Sequence, residues 1–204
     1  MGGTDWSFGS PLHKVCVKGF WMGKYEVTQA QYLQVTGGNP SKVIGLDNPV
    51  ENVSWDDAAH FSGLMADSSG TKVRLPSEAE WEYACRSGRA QTKYCGSDDN
   101  LNRLGWYQAN SDHQHRPVGH FAPNDWGLYD MSGNVWEWVQ DCWHPTFQGA
   151  PANGSVWQGG ECPTRVVRGG SWCNESSYAQ AGFRYGNDPD GGECSGFRVA
   201  RTSP

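Results

Sequence analysis

The chain has 204 residues, a formal net charge of −6 and an isoelectric point of about 5.4, which argues against a surface built to bind nucleic acid. It is long enough for one domain with a core of its own. It has 11 Trp, 8 Tyr, 7 Phe and 27 Gly, but only 37% hydrophobic residues. This composition predicts a core of large rings held by loops and short strands. No run of about 18 apolar residues occurs, so no membrane span is predicted.

The first half of the chain is predicted to contain strands and then three short helices. Apolar residues alternate over 12–27, which is typical of strands. Three N-cap residues, each followed three positions later by a side chain that can reach back, predict the helix starts. These pairs are Thr28 with Gln31, Ser54 with Asp57, and Ser77 with Glu80.

The second half shows less periodicity. Residues 87–165 are rich in turn residues, and strands are predicted only at 165–171 and 196–201. Helices placed early and strands placed late indicate the α+β class. No repeat or long linker divides the chain, so residues 1–204 are predicted to form one domain.

The seven cysteines include no Cys-x-x-Cys pair, so a structural zinc site is not expected. Cys142 and Cys162 flank a loop rich in Gly, Pro and Asn. They can form a disulfide or remain as buried thiols, and the sequence leaves both readings open. An odd number of cysteines leaves at least one thiol free.

Of the six histidines, only His113 and His115 lie close together in the sequence. They belong to the polar stretch 111–116. We therefore expect both side chains to be exposed to solvent rather than to bind a metal.

Several ordered strings resemble one protein family. They are Gly23–Thr28, Asn48–Trp55, Arg74–Ala84, Asn124–Met131, Gly133–Trp138, Arg168–Trp172 and Gly196–Arg198. Together they are similar to the formylglycine-generating-enzyme, or sulfatase-modifying-factor, family, which is a branch of the C-type-lectin fold. The resemblance implies a loop-rich C-type-lectin-like domain with short helices and few strands. It also implies buried rings at Trp55, Trp81, Tyr83, Trp136 and Trp138.

The family's oxidase converts a peptide cysteine to formylglycine with two cysteines, about five residues apart, that bind copper(I), a soft ion suited to thiolates. Cys173 stands near the first of these positions, whereas 176–178 has no thiol at the second. Cys194 follows 21 residues after Cys173, and nothing in the sequence places the two together. Oxidase activity is therefore the alternative interpretation, not the leading one.

The same resemblance implies a calcium site at Asp130, Gly133, Val135 and Glu137. Two carboxylates and two main-chain carbonyls can surround a hard cation with oxygen. The alternative is that Asp130 and Glu137 only accept hydrogen bonds from loop amides. Calcium is the one cofactor predicted.

Residues 173–196 have an unusual composition. Nineteen of these 24 residues are Cys, Asn, Ser, Tyr, Ala, Gly, Phe or Asp, and none is Leu, Ile, Val, Met or Lys. Rigid rings combined with small polar residues are typical of a paratope. The segment resembles the variable region of proteins diversified by retroelements, whose adenine-directed mutation yields this set of residues.

That second resemblance implies a variable region over about 166–200, with Arg184, Pro189 and Asp190 as fixed framework. The predicted ligand-binding residues are Trp172, Cys173, Asn174, Ser177, Tyr178, Phe183, Tyr185, Asn187, Asp188, Gly191 and Cys194.

The leading hypothesis is a non-catalytic receptor that binds a protein or another cell-surface ligand, without nucleic acid. The expected location is extracytoplasmic, at the bacterial cell surface or outer membrane. A lipid anchor in the full-length protein is part of that expectation. A family member with a structural role and no varied site remains a further alternative.

Overall fold

The computed structural model describes residues 1–3, 9–90, 92–96, 99–159 and 161–203. Its helices are α1 (Gln29–Thr36), α2 (Trp55–Ser69) and α3 (Glu78–Cys85). All three predicted capping boxes are present, with Thr28, Ser54 and Ser77 as N-caps. None of the described helices is long and apolar enough to cross a bilayer.

The strands form two small sheets. In chain order they are β1 (Phe20–Met22), β2 (Val73–Arg74), β3 (Trp136–Cys142), β4 (Arg165–Arg168), β5 (Arg184–Asn187), β6 (Ser195–Gly196) and β7 (Ala200–Thr202). The first sheet has the order β1-β7-β2 and the second β5-β4-β3-β6. Within the second sheet β3 pairs antiparallel with β4 and parallel with β6. The α+β, loop-rich architecture predicted from the sequence is confirmed.

Three strand predictions need correction. The stretch 12–27 contains only β1, and 196–201 divides between β6 and β7, which belong to different sheets. Strand β3 was missed altogether. Six of its seven residues are buried. It therefore lacks the alternation of apolar and polar residues by which a strand with one solvent-exposed face is recognised.

The rings predicted for the core are mostly in it. Trp81, Trp136 and Trp138 are buried, and the partly buried Trp55 donates its indole N–H to the Val139 carbonyl at 2.8 Å. Tyr83 was predicted wrongly. Its side chain is 44% exposed, because it lies on the outer side of α3 and packs edge-on against Trp126, itself exposed, at 5.0 Å.

Buried ion pairs fix the second sheet to α3. Glu78 accepts from Arg168 at 3.1 Å and from Arg184 at 2.7 Å. Arg168 also pairs with Glu82 at 2.8 Å. Glu78, Arg168 and Arg184 are all fully buried, so each charge is compensated where water cannot reach it. Arg184 is therefore framework, as predicted.

Two disulfides tie loops to this core. Cys142–Cys162 resolves the pairing that the sequence left open, and Cys85–Cys95 was not predicted. Cys16 is an exposed free thiol, and Cys173 and Cys194 are partly exposed free thiols.

His115 is buried, contrary to prediction, whereas His113 is exposed. The loop 111–116 turns inward, since Ser111 donates its hydroxyl to the Trp172 carbonyl at 3.0 Å. His115 thereby comes to lie 3.6 Å from the buried Glu51 carboxylate.

Candidate ligand-binding surface

The segment after β4 turns sharply before it reaches the candidate surface. Gly169 and Gly170 both have positive φ, 94° and 71°. A Cβ on Gly170 would lie 2.9 Å from the backbone of Tyr178 and Ala179. Glycine at this position lets the 3₁₀ turn Ser176–Ala179 pack against the end of β4.

Three aromatic rings gather around Trp136, the first residue of β3. The centroid of Trp136 lies 6.3 Å from Tyr178, 6.1 Å from Phe183 and 6.2 Å from Tyr185. Tyr178 and Phe183 are 4.8 Å apart. We call these four residues the aromatic cluster.

The aromatic cluster has a buried floor and an exposed outer part. Phe183 is only 3% exposed, so its predicted place on the surface is wrong. Its ring packs into the core between Trp136 and Tyr178. Tyr185, by contrast, is 50% exposed on the edge strand β5, and Tyr178 is partly exposed. Trp136 was read from the sequence as core only. Its place inside a family string gave no sign that it would support this surface.

Two thiols lie beside the aromatic cluster. The Sγ atoms of Cys173 and Cys194 are 2.6 Å apart. The amide of Trp136 donates to the Cys194 carbonyl at 2.7 Å, which places this thiol pair next to the rings. The sequence did not predict this proximity, since it depends on β6 pairing with β3.

The remaining predicted residues are held in two ways. Trp172 and Asn174 are fixed through their main chains, by Asn134 at 2.8 Å and Gln108 at 2.9 Å. The side chain of Asn187 donates to Ser195 at 3.2 Å. Ser177 is partly exposed and Asp188 is exposed.

Gly191 belongs to the framework rather than to the displayed set. Its φ is +84°, and a Cβ there would meet the Val53 carbonyl oxygen at 2.5 Å. Any larger residue would be strained, so this position cannot vary freely.

The exposed charges of the segment 172–196 are acidic. Four carboxylates of the segment are exposed, namely Glu175, Asp188, Asp190 and Glu193. Within 172–196 the only basic residue is Arg184, which is buried against Glu78. A nearby cation comes from Lys42, which pairs with Glu193.

The predicted calcium ligands lie in a different, buried group of charges. Both oxygens of Glu137 accept from Arg198 at 2.7 Å, and Trp81 donates to the same carboxylate at 2.7 Å. Asp130 accepts from the amide of Gly119 at 2.6 Å, while its other oxygen is buried without a partner. That oxygen suits a hard cation, whereas Glu137 is already neutralised. The residues therefore fit calcium in part.

Burial raises the pKa of Asp130 to about 6, against the hydrogen bond from Gly119 and the charge of Arg198, which lower it. Burial, together with the charges of Asp130 and Glu137, also raises the pKa of Glu26. Over the described part of the chain, no three His, Cys, Asp or Glu side chains are grouped to hold a metal. The calcium site, which would use two carboxylates and two carbonyls, stays a prediction.

Calcium binding would appear as a rise in thermal stability. At about 100 times the dissociation constant, a ligand of the folded state stabilises by about 2.7 kcal/mol. For a chain of this size we expect a rise of roughly 5–10 °C in Tm. Calorimetry with calcium, with magnesium and with chelator measures it, and the Asp130→Ala variant should lose the response. An identical transition in all three buffers would leave only the hydrogen-bonding role.

Comparison with known proteins identifies the family. The sulfatase-modifying factor enzyme 1-like domain matches residues 1–203. This chain belongs to that family. Family membership by itself does not settle activity, since one scaffold serves several functions.

The similar proteins named here have different functions. Treponema denticola variable protein 1 has a TM-score of 0.92 and 28% identity, and the match covers 99% of this chain and 91% of that one. The chaperone protein LppX of Paenibacillus barcinonensis is 31% identical over 92% of this chain and 82% of its own length. The formylglycine-generating enzyme of Streptomyces coelicolor is 34% identical over 80% of this chain, but the match spans only 56% of that enzyme. The proteins that this chain resembles are thus named as a variable protein, a chaperone and an enzyme.

Proposed function

We propose that this protein is a non-catalytic, surface-displayed ligand-binding protein, and that its segment 172–194 forms a binding face diversified by a retroelement. The observation that carries the proposal is the aromatic cluster. Tyr178 and Tyr185 extend outward from a rigid floor of Trp136 and Phe183. Exposed rings concentrated on one face are typical of binding sites.

The framework under this face explains how it can vary. The buried pairs of Arg168 and Arg184 with Glu78 hold β4 and β5 from below. Side chains that point outward from these strands can therefore change without unfolding the domain. The similarity to a variable protein of the same fold supports this reading.

The acidic character of the segment favours a protein or cell-surface ligand that has basic groups. Its four exposed carboxylates attract cations by charge, and the faces of tyrosine rings bind cations by contact. An extracytoplasmic location accompanies the proposal. The disulfides Cys85–Cys95 and Cys142–Cys162 are of the kind that persists in oxidising compartments.

Replacing Tyr178 and Tyr185 together by Ala tests the binding face. Tyr185 is half-exposed, so its share of the change in the free energy of unfolding should be within about 0.5 kcal/mol, as at ordinary surface sites. Tyr178 packs on Phe183, so its truncation should cost more, and circular dichroism should show that the double variant stays folded. Each central Tyr should contribute at least about 2 kcal/mol to binding, or roughly 30-fold in Kd. The test uses an array of purified bacterial and host surface proteins, with affinities measured for those that bind.

The matched control changes the other exposed aromatic pair, Tyr83 and Trp126, to Ala. It should leave affinity unchanged. Equal binding by both double variants would refute the proposal. The diversification is tested in the genome, where a near-copy of the codons for 168–198, rich in AAC, should lie beside a reverse transcriptase gene.

The copper-dependent oxidase is the second candidate, and one observation favours it. Cys173 and Cys194 provide two adjacent thiols after all, and a two-thiolate site suits copper(I). Copper(I) held there would bind and activate dioxygen, the external oxidant that conversion of a thiol to an aldehyde requires. However, these thiols come from two segments 21 residues apart, not from the single stretch that the family's oxidase uses.

An assay for formylglycine separates the two functions. Incubated with copper(I) and a sulfatase-type peptide, this protein should produce no aldehyde above the level of its Cys173→Ser variant. Mass spectrometry of the peptide measures the product. Repeated turnover that is lost in the variant would establish the oxidase instead.

A further inference from the structure

Cys173 and Cys194 are in close contact without a bond between their sulfur atoms. A separation of 2.6 Å between Sγ atoms is too short for two thiols that merely pack together, yet the pair is not bonded in this structure. The other two cysteine pairs of the domain are closed disulfides. Both thiols are partly exposed, so small reagents can reach them.

We propose that Cys173 and Cys194 form a reversible dithiol–disulfide site that opens and closes at the edge of the binding face. Cys173 follows β4, and Cys194 precedes β6. A bond between them closes a loop that contains Tyr178 and Tyr185. The thiol chemistry goes beyond the proposed function and stands on geometry alone, whereas its effect on binding rests on that function.

The closing reaction is a pair of thiol–disulfide exchanges with an external disulfide, such as oxidised glutathione. The Cys173 thiolate attacks one sulfur of that disulfide, which forms a mixed disulfide and releases one thiolate. Cys194 then gives up its proton to solvent and attacks Sγ of Cys173. This step forms the Cys173–Cys194 bond and releases the second thiolate. The protein loses two electrons and two protons, and the external disulfide is reduced to two thiols.

The pair lies in a polar setting. The hydroxyl of Ser171 is 3.1 Å from the Sγ atom of Cys173 and 2.6 Å from the side-chain oxygen of Asn174. The thiolate is the form of a cysteine that attacks a disulfide.

Closure would hold the ring-bearing segment at both ends. Tyr178 and Tyr185 would then be displayed with less freedom, and a rigid paratope loses less entropy on binding. In the open form the two ends are held only by non-covalent contacts, such as the main-chain hydrogen bonds of Trp172, Asn174 and Cys194. The binding face thus has two states. The ratio of thiol to disulfide in the surrounding medium determines which of them is populated.

The experiment counts thiols in the full chain carrying Cys16→Ser, so that the exposed Cys16 does not contribute. The protein is equilibrated with ratios of reduced to oxidised glutathione in the presence of a metal chelator. It is then labelled with a maleimide and weighed. The expected result is a change from two labels to none as the ratio falls, with the closed form lighter by two hydrogens. Peptide mapping should place the new bond between 173 and 194.

Matched single variants trap the intermediate. Under oxidising conditions Cys194→Ser should accumulate a glutathione adduct on Cys173, because the thiol that completes the second exchange is missing. Cys173→Ser should likewise never lose two hydrogens. Two labels at every ratio, or adducts that never proceed to closure in the parent protein, would overturn the proposal.

The thiol count does not involve a ligand, so it separates this inference from the proposed function. If the bond closes and the Tyr178 and Tyr185 variants still bind normally, the redox site stands and the binding face fails. If the tyrosines are required but the thiols never close, the binding face stands and the redox site fails.

Discussion

Replacing Trp138 by Ala should cost about 3–5 kcal/mol of the free energy of unfolding, the usual penalty for deleting a large buried aromatic ring. Trp138 lies in β3 with no exposed surface, and its indole N–H donates to the Val53 carbonyl at 3.0 Å. The substitution removes apolar contacts and leaves a cavity. It also leaves the buried Val53 carbonyl without its hydrogen-bond donor. Because typical domains are stable by only about 5–15 kcal/mol, the variant should be close to unfolding at 37 °C.

Urea unfolding followed by Trp fluorescence and circular dichroism measures the loss. The matched control is Tyr83→Ala on the exposed side of α3, which should cost about 1 kcal/mol or less. If the two variants were equally stable, the core assignment of β3 would be wrong.

Replacing Arg198 by Met should destabilise the protein by about 3–5 kcal/mol at pH 8, because it leaves a buried carboxylate without its counter-charge. Arg198 is fully buried and binds both oxygens of Glu137 at 2.7 Å. It also donates to the Tyr129 carbonyl at 2.9 Å. The carboxyls of Glu26 and Asp130 lie near enough to repel Glu137 once the guanidinium is gone.

The pH dependence of this variant has a definite sign. A carboxyl whose pKa is raised by folding binds its proton more tightly in the folded state, so stability falls as pH rises towards the folded pKa. In the parent protein this holds for Asp130, whose pKa is about 6, and for Glu26. Without Arg198 these pKa values should rise further. The loss of stability should therefore be larger at pH 8 than at pH 5.5.

Chemical denaturation at both pH values tests this, with the exposed Arg201→Met as the control. Adding Glu137→Gln to Arg198→Met should recover part of the stability at pH 8, since it removes the uncompensated charge. A deficit that does not depend on pH would show that Arg198 acts only by filling space.

Local signals in the sequence were enough to predict the helices. A cap and its reciprocal partner lie three residues apart, so the interactions that start α1, α2 and α3 are contained in short strings. The family strings added the fold class, because they are ordered along the whole chain. The unusual composition of 173–196 was enough to predict the candidate binding segment.

Long-range pairing decided the rest. The sequence placed Phe183 and Gly191 among the displayed residues. Phe183 is buried in the core, and the close approach of Val53 leaves no room for a side chain at Gly191. His115 is buried since its loop is held by contacts distant in sequence. Burial of such residues depends on which segments meet, and no periodicity within a single segment reports that.

The sequence by itself determined the family, the α+β class and the segment that differs from ordinary framework. Only the tertiary structure put Tyr178, Tyr185 and Trp136 into one cluster and brought the sulfur of Cys173 next to that of Cys194. The reason is topological. Strand β3 pairs with β4 on one side and with β6, which is distant in sequence, on the other. Hydrogen bonds between these strands therefore make neighbours of residues that are many positions apart.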